Sequence, residues 1–290
     1  MSMSQPHSGQ MIRTGSEAFL RVLFGVFLAV FAIVVVVYSA QWFAAVTVVV
    51  MLLAAREWHR MVRAPAQTEI ADHQSLYTQT AITGAAIACA VLALVLHVVP
   101  AAFAFLAVGA VAAFVMAQKR NDNPLWHAGG VIYLGLPALA LVGLRVFPAQ
   151  GSKIVLGLFL IVWATDTGAL VFGKLIGGRK IAPRLSPGKT WAGTIGGSIT
   201  AAAIFGLYIA VLGLSVWQAM AFAFVFSLAA HGGDLFESLV KRRFGYKDSG
   251  GLIPGHGGML DRMDSMFVAS VVLALLVFVL HLNPLFGGHA

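Results

Sequence analysis

Five carboxylates sit where an apolar chain tolerates them least. Asp234 and Glu237, in "HGGDLFESLVKRR", are three residues apart, as are Asp261 and Asp264, in "HGGMLDRMD". That spacing puts both members of a pair on one helix face. Asp166, in "WATDTGALVFGK", lies within an apolar stretch, where a carboxylate costs roughly 2.5–3.5 kcal/mol on insertion scales and more if unpaired. Two carboxylates at such spacing suit a hard cation like magnesium, which takes one or two of them plus phosphate oxygens and water. Five acids in one place cannot stay ionised together unless cations hold them.

The cations lie beside them. The stretch "GGRKIAPRLSPGKTWAGTIGG" carries Arg179, Lys180, Arg184 and Lys189 ahead of Thr190, which opens an apolar span. It is not a Walker A loop, because Pro183 stands where that motif needs glycine. Cations, backbone amides and a helix N-terminus still favour phosphate. The stretch "KRRFGYKDSGGLIPGHGGMLDRMD" adds Lys241, Arg242, Arg243, Lys247 and Arg262 around a glycine-rich loop containing His256. Each feature has a plainer reading. Asp166 could pair with a buried base, Glu237 with Lys241 at i, i+4, and the basic loop with anionic headgroups. His256 could serve phosphate, base or loop conformation alone. Together, cations on glycine loops and clustered carboxylates are the equipment of metal-assisted phosphoryl or nucleotidyl transfer. No Gly-x-Ser-x-Gly, cysteine nucleophile or His-Glu-x-x-His motif is present, so a covalent enzyme intermediate is not indicated.

These residues must be positioned by membrane helices. The 290-residue chain is 59% hydrophobic and 10% charged, against about 25% charge in a soluble domain. The fold expected is all-α and polytopic. Nine apolar spans are read at 19–38, 40–56, 77–98, 100–117, 128–147, 153–174, 191–213, 216–237 and 263–282, each near the ~20 residues that cross a bilayer. The run 19–56 is split at "YSAQ", because one helix that long would overshoot the membrane. With the N-terminus cytoplasmic, 17 basic residues fall inside and two, Arg145 and Lys153, outside, which predicts N-terminus in and C-terminus out. Residues 1–18 read as a disordered cytoplasmic tail, 19–150 as an N-terminal region of five helices, and 151–290 as a C-terminal catalytic region with inside loops 175–190 and 238–262. "AAREWHRMVR" reads as a basic interfacial anchor, Pro137 as a kink, and Cys89 as a buried packing residue. The histidines other than His256 show no ligand spacing. Intramembrane acids could also mark a cation path, but that predicts acids spread through the membrane depth, and four of the five sit at one face.

Residues 238–264, "SLVKRRFGYKDSGGLIPGHGGMLDRMD", resemble the signature of the phosphatidate cytidylyltransferase (CDP-diacylglycerol synthase) family without a gap. "DTGA" and "LSPGKTWAGTIGG" also resemble family motifs, although Leu170 and Ala192 stand where the family often has an aromatic residue and a glutamate. The resemblance implies that CTP and phosphatidic acid give CDP-diacylglycerol and pyrophosphate with Mg2+, with or without a second cation. It implies a cytoplasm-facing site and a homodimer in membrane lipid, in a bacterial inner membrane, with no nucleic-acid partner. Carried onto this chain, Asp234 and Asp261 would be metal ligands. Asp166, Glu237 and Asp264 would be essential neighbours, joined by Lys241 and Arg262 at the phosphates. Ser186, Lys189, Thr190, Ser238, Arg242, Lys247, Asp248 and His256 would line the substrate site. A transferase acting on another lipid phosphate or a polyprenol has the same motifs available to it.

Overall fold

The computed structural model describes residues 23, 25–63, 69–183, 185–250 and 257–283. Among these residues nine helices form, and the order of expected spans is reproduced. They are α1 (Gly25–Tyr38), α2 (Ala40–Val62), α3 (Glu69–Val95), α4 (Val99–Lys119), α5 (Pro124–Val146), α6 (Gly151–Leu175), α7 (Trp191–Val211), α8 (Val216–Arg243) and α9 (Leu260–Phe278). Seven of them, α2 to α8, are long and apolar enough to cross a membrane. The protein is an all-α, polytopic membrane protein.

Local chemistry sets the breaks. Ser39 is extended, and its hydroxyl accepts from Gln41 N and Trp42 N at 3.2 and 3.4 Å, so α1 stops and α2 starts afresh. Pro124 opens α5 at a position where its missing N–H costs nothing. Thr190 caps α7 by accepting from Gly193 N at 3.0 Å.

Several boundaries differ from the expected ones, for one reason. Hydropathy measures the part of a helix that meets lipid, not the whole helix. Thus α2 runs to Val62 rather than 56, α8 to Arg243 rather than 237, and α9 begins at Leu260 rather than 263. The inside loop expected at 238–262 shrinks accordingly. The stretch 175–190 also holds a small antiparallel hairpin, β1 (Lys180–Ala182) with β2 (Ser186–Thr190), in which Lys180 pairs with Thr190 and Ala182 with Ser186.

Close packing of α6 on α7 depends on glycine. A Cβ on Gly168 would lie 2.5 Å from Thr200 Oγ1 and 3.0 Å from Gly197 Cα, and one on Gly197 would lie 2.6 Å from the Thr165 carbonyl. The lack of a side chain at Gly168 therefore serves the close approach of a neighbouring helix. Helix α9 packs against α8 and α5, and also meets α6 and α2. It is the element that ties the early helices to the later ones.

Cys89 is corrected. It is exposed on α3 rather than buried. In a bilayer a small apolar side chain gains little by facing protein instead of lipid. The N-terminal tail lies outside the described residues.

Candidate active site

The "AAREWHRMVR" segment is not a surface anchor. Glu57, Trp58 and His59 at the end of α2 are 5%, 2% and 0% exposed. Trp58 Nε1 donates to the Trp126 carbonyl at 2.9 Å. His59 Nδ1 meets His127 Nδ1 at 2.8 Å, its Nε2 meets Thr83 Oγ1 at 2.7 Å, and His127 Nε2 lies 3.0 Å from Asp122. The His59 and His127 rings and the Thr83 hydroxyl form one run of polar contacts that ends beside Asp122. The three elements α2, α3 and α5 are thereby fastened at one end of the bundle.

The carboxylates gather at that same end. Lys241 Nζ lies 3.1 Å from Glu237 Oε1 and 2.7 Å from Asp261 Oδ1, joining α8 to α9. The expected i, i+4 pair is therefore real, but it is one arm of a bridge. Lys189, just before the end of β2, pairs with Asp234 on α8 and draws the hairpin onto the helix. Ser265 Oγ donates to Asp166 Oδ1 at 3.3 Å. Asp166 is accessible although it lies deep in α6, and it is within electrostatic reach of Asp234, Lys189 and Arg262. Asp264 is likewise within reach of Asp234, Asp166 and Lys241.

The remaining residues of the substrate set are spread more widely. Arg242 Nε donates to the Leu185 carbonyl at 3.3 Å, a second tie between α8 and the hairpin. Ser186 starts β2, and Ser238 is half-buried on α8. Lys247 and Asp248 are exposed after α8. His256 and Arg184 lie outside the described residues.

Asp261 is held by backbone as well as by Lys241. Ser249 N donates to Asp261 Oδ1 and Oδ2 at 3.1 and 2.9 Å, and Gly258 N donates to Oδ2 at 3.0 Å. With Lys241 these make two contacts on each oxygen, which matches the about four acceptor positions of a carboxylate, so a metal bound by Asp261 would take the place of one of them. Glu237 is fully buried, and its Oε2 finds no hydrogen-bond partner among the described residues. The Tyr133 hydroxyl, within electrostatic reach of Glu237 and Asp264, is likewise buried without one. The unpartnered Glu237 oxygen is an acceptor that a cation or a ligand donor would satisfy. Among the described residues, no group of three or more His, Cys, Asp or Glu is set to hold a metal alone.

Glu57 had no motif to announce it. Met259 N donates to its Oε1 at 3.0 Å, Leu260 N to its Oε2 at 2.8 Å, and Ser249 Oγ to its Oε2 at 3.0 Å. Arg60, one turn further along α2, donates to the Ser249 carbonyl. The only hint in the sequence is a lone acid among Arg56, Arg60 and Arg63 at the end of an apolar span.

A profile of the cytidylyltransferase family matches residues 19–280, nearly the whole chain. The chain belongs to the cytidylyltransferase family. It is 43% identical over 165 residues to the phosphatidate cytidylyltransferase of Brucella suis biovar 1 (strain 1330), covering 56% of this chain and 61% of that protein. It is 42% identical over 150 residues to the phosphatidate cytidylyltransferase of Staphylococcus haemolyticus (strain JCSC1435), covering 51% of this chain and 56% of the relative. The matched stretch thus spans about three fifths of these relatives' length. Within the family's pattern, the pairs Lys189–Asp234 and Lys241–Asp261 link the middle motif, α8 and α9.

Proposed function

We propose that this protein transfers the cytidylyl group of CTP to phosphatidic acid, forming CDP-diacylglycerol and pyrophosphate. Membership of the cytidylyltransferase family and the names of its relatives support this reading. The observation that carries it is the convergence on α8 of two lysine–carboxylate pairs, Lys189–Asp234 and Lys241–Asp261, from segments far apart in sequence.

The chemistry follows from charge. A lipid phosphate is already anionic and needs no general base. An oxygen of that phosphate bonds to the α-phosphorus of CTP, the bond from that phosphorus to the bridging oxygen breaks, and pyrophosphate leaves. The obstacle is repulsion between two polyanions. Lys189, Lys241 and Arg262 place positive charge where they meet, and Asp166, Glu237 and Asp264 hold those cations in place. Asp234 and Asp261 would hold Mg2+, which when bound neutralises triphosphate charge and stabilises the leaving group. Whether a second cation joins it is part of the proposal. Arg242, Lys247 and His256 are assigned to nucleotide phosphates by the family signature. The lipid enters between helices with its tails still in the bilayer. The 17-to-2 distribution of basic residues supports a site facing the cytoplasm, here of a bacterial inner membrane, and a homodimer is part of the same reading.

The test is direct. Purified protein is incubated with labelled CTP, phosphatidic acid and Mg2+, and CDP-lipid is sought, with and without chelator. CDP-diacylglycerol that disappears with chelator and returns with Mg2+ supports the proposal. Product only with polyprenyl or other lipid phosphates overturns the substrate assignment, and cation flux without nucleotide transfer overturns the enzyme assignment.

A further inference from the structure

We infer that Glu57 is a positioning residue, the resident anion around which the described ends of the glycine loop are folded. This rests on the proposed activity only for its kinetic consequence. The "GHGGML" motif invites the reading that its N–H groups bind triphosphate. The structure gives three of them, on Gly258, Met259 and Leu260, to protein carboxylates. Met259 N and Leu260 N donate to Glu57, and Ser249 N and Gly258 N donate to Asp261. The N-terminus of α9, where a phosphate would otherwise be drawn, is therefore already neutralised by a side chain from α2.

The glycines are shaped to this occupant. The three atoms nearest a Cβ on Gly250 all belong to Glu57, the closest, Oε1, at 2.5 Å. A Cβ on Gly258 would strike Ser249 Oγ and the Glu57 carboxylate. Glu57 thereby seats the segment that presents Asp261 to Lys241, while the His59–His127–Asp122 chain holds α2 still beneath it. Triphosphate contacts are then left to side chains rather than to these N–H groups.

The experiment uses the full chain in nanodiscs with Glu57→Ala and the isosteric Glu57→Gln. A misplaced reacting group costs about 100-fold, so both variants lose about that much kcat while KM for CTP stays within about twofold. Formate, small enough to occupy the vacated carboxylate site in Glu57→Ala, restores part of the rate. A purely packing role would not respond to it. Hydrogen exchange of the peptide spanning 249–261 rises in both variants. Near-parental kcat, a loss confined to KM for CTP, or unchanged exchange overturns the inference. If the parent protein makes no CDP-lipid, the functional proposal falls, and the exchange result alone still decides the role of Glu57.

Discussion

Lys241 holds Glu237 and Asp261 at once, its ammonium 3.1 Å from the first and 2.7 Å from the second. Glu237 is one turn earlier on the same helix, whereas Asp261 belongs to α9. One buried cation therefore fixes the separation of the two helices whose carboxylates define the site. The mixture of charge signs in residues 241–264 has a structural meaning before any ligand arrives. Glu237 has the lysine as its ion-pair partner, whereas Asp261 also keeps the Ser249 and Gly258 N–H donors.

Lys241→Met should be costly for that reason. Removing one partner of a buried ion pair leaves an uncompensated charge, worth about 3–5 kcal/mol. The expected result is a lower thermal inactivation midpoint in detergent, partly recovered by adding Glu237→Gln. A Lys241→Met protein as heat-resistant as the parent would mean that the bridge does not hold α8 to α9.

The α6–α7 contact gives an independent prediction. A side chain on Gly197 would drive into the Thr165 carbonyl, 2.6 Å from the added Cβ, and overpacking of this kind costs about 1–3 kcal/mol. Gly197→Val should lower the inactivation temperature and also displace Asp166, one residue after Thr165. Gly188→Val, with nothing within 4 Å of its added Cβ, is the matched control and should leave the inactivation temperature unchanged.

The residues that were legible in the sequence are those whose chemistry repeats locally. Asp234 with Glu237, and Asp261 with Asp264, declare themselves by spacing alone. Lys241 declares its bond to Glu237 but not the one to Asp261, which closes across a loop. Ser39 shows as a weak turn between two runs that are together too long for one bilayer crossing. Glu57 could not be read in this way. Its partners Ser249, Met259 and Leu260 lie some two hundred residues further on, and a single acid among arginines looks like a solvated helix end. The hairpin 180–190 was hidden because "SPGKT" has no alternation of apolar and polar residues, so its pairing comes from closure rather than pattern.

His127→Ala should loosen the end of α2. It leaves His59 Nδ1 without its His127 partner, and a buried polar group left unsatisfied costs about 1–3 kcal/mol. Thermal inactivation measures the loss. If α2 is the seat of the 249–261 segment, hydrogen exchange there should rise as well, although His127 lies on α5. Lower stability with unchanged exchange in that segment would separate the histidine chain from the site.

Gly250 and Glu57 should be strongly coupled. The atoms nearest a Cβ on Gly250 are Glu57 Oε1, Cδ and Cγ, at 2.5, 2.8 and 3.2 Å. Gly250→Ala therefore meets Glu57 first. In the parent background it should displace the carboxylate from Met259 N and Leu260 N and reduce both stability and turnover. In a Glu57→Ala background these nearest contacts are gone and the same substitution should change less. The double-mutant cycle should thus show an interaction energy of about 0.5–3 kcal/mol, the range for residues in contact, with the double variant no worse than Glu57→Ala. Additive effects would mean that Gly250 is required for backbone freedom rather than for room, and that the loop is not moulded to the side chain from α2.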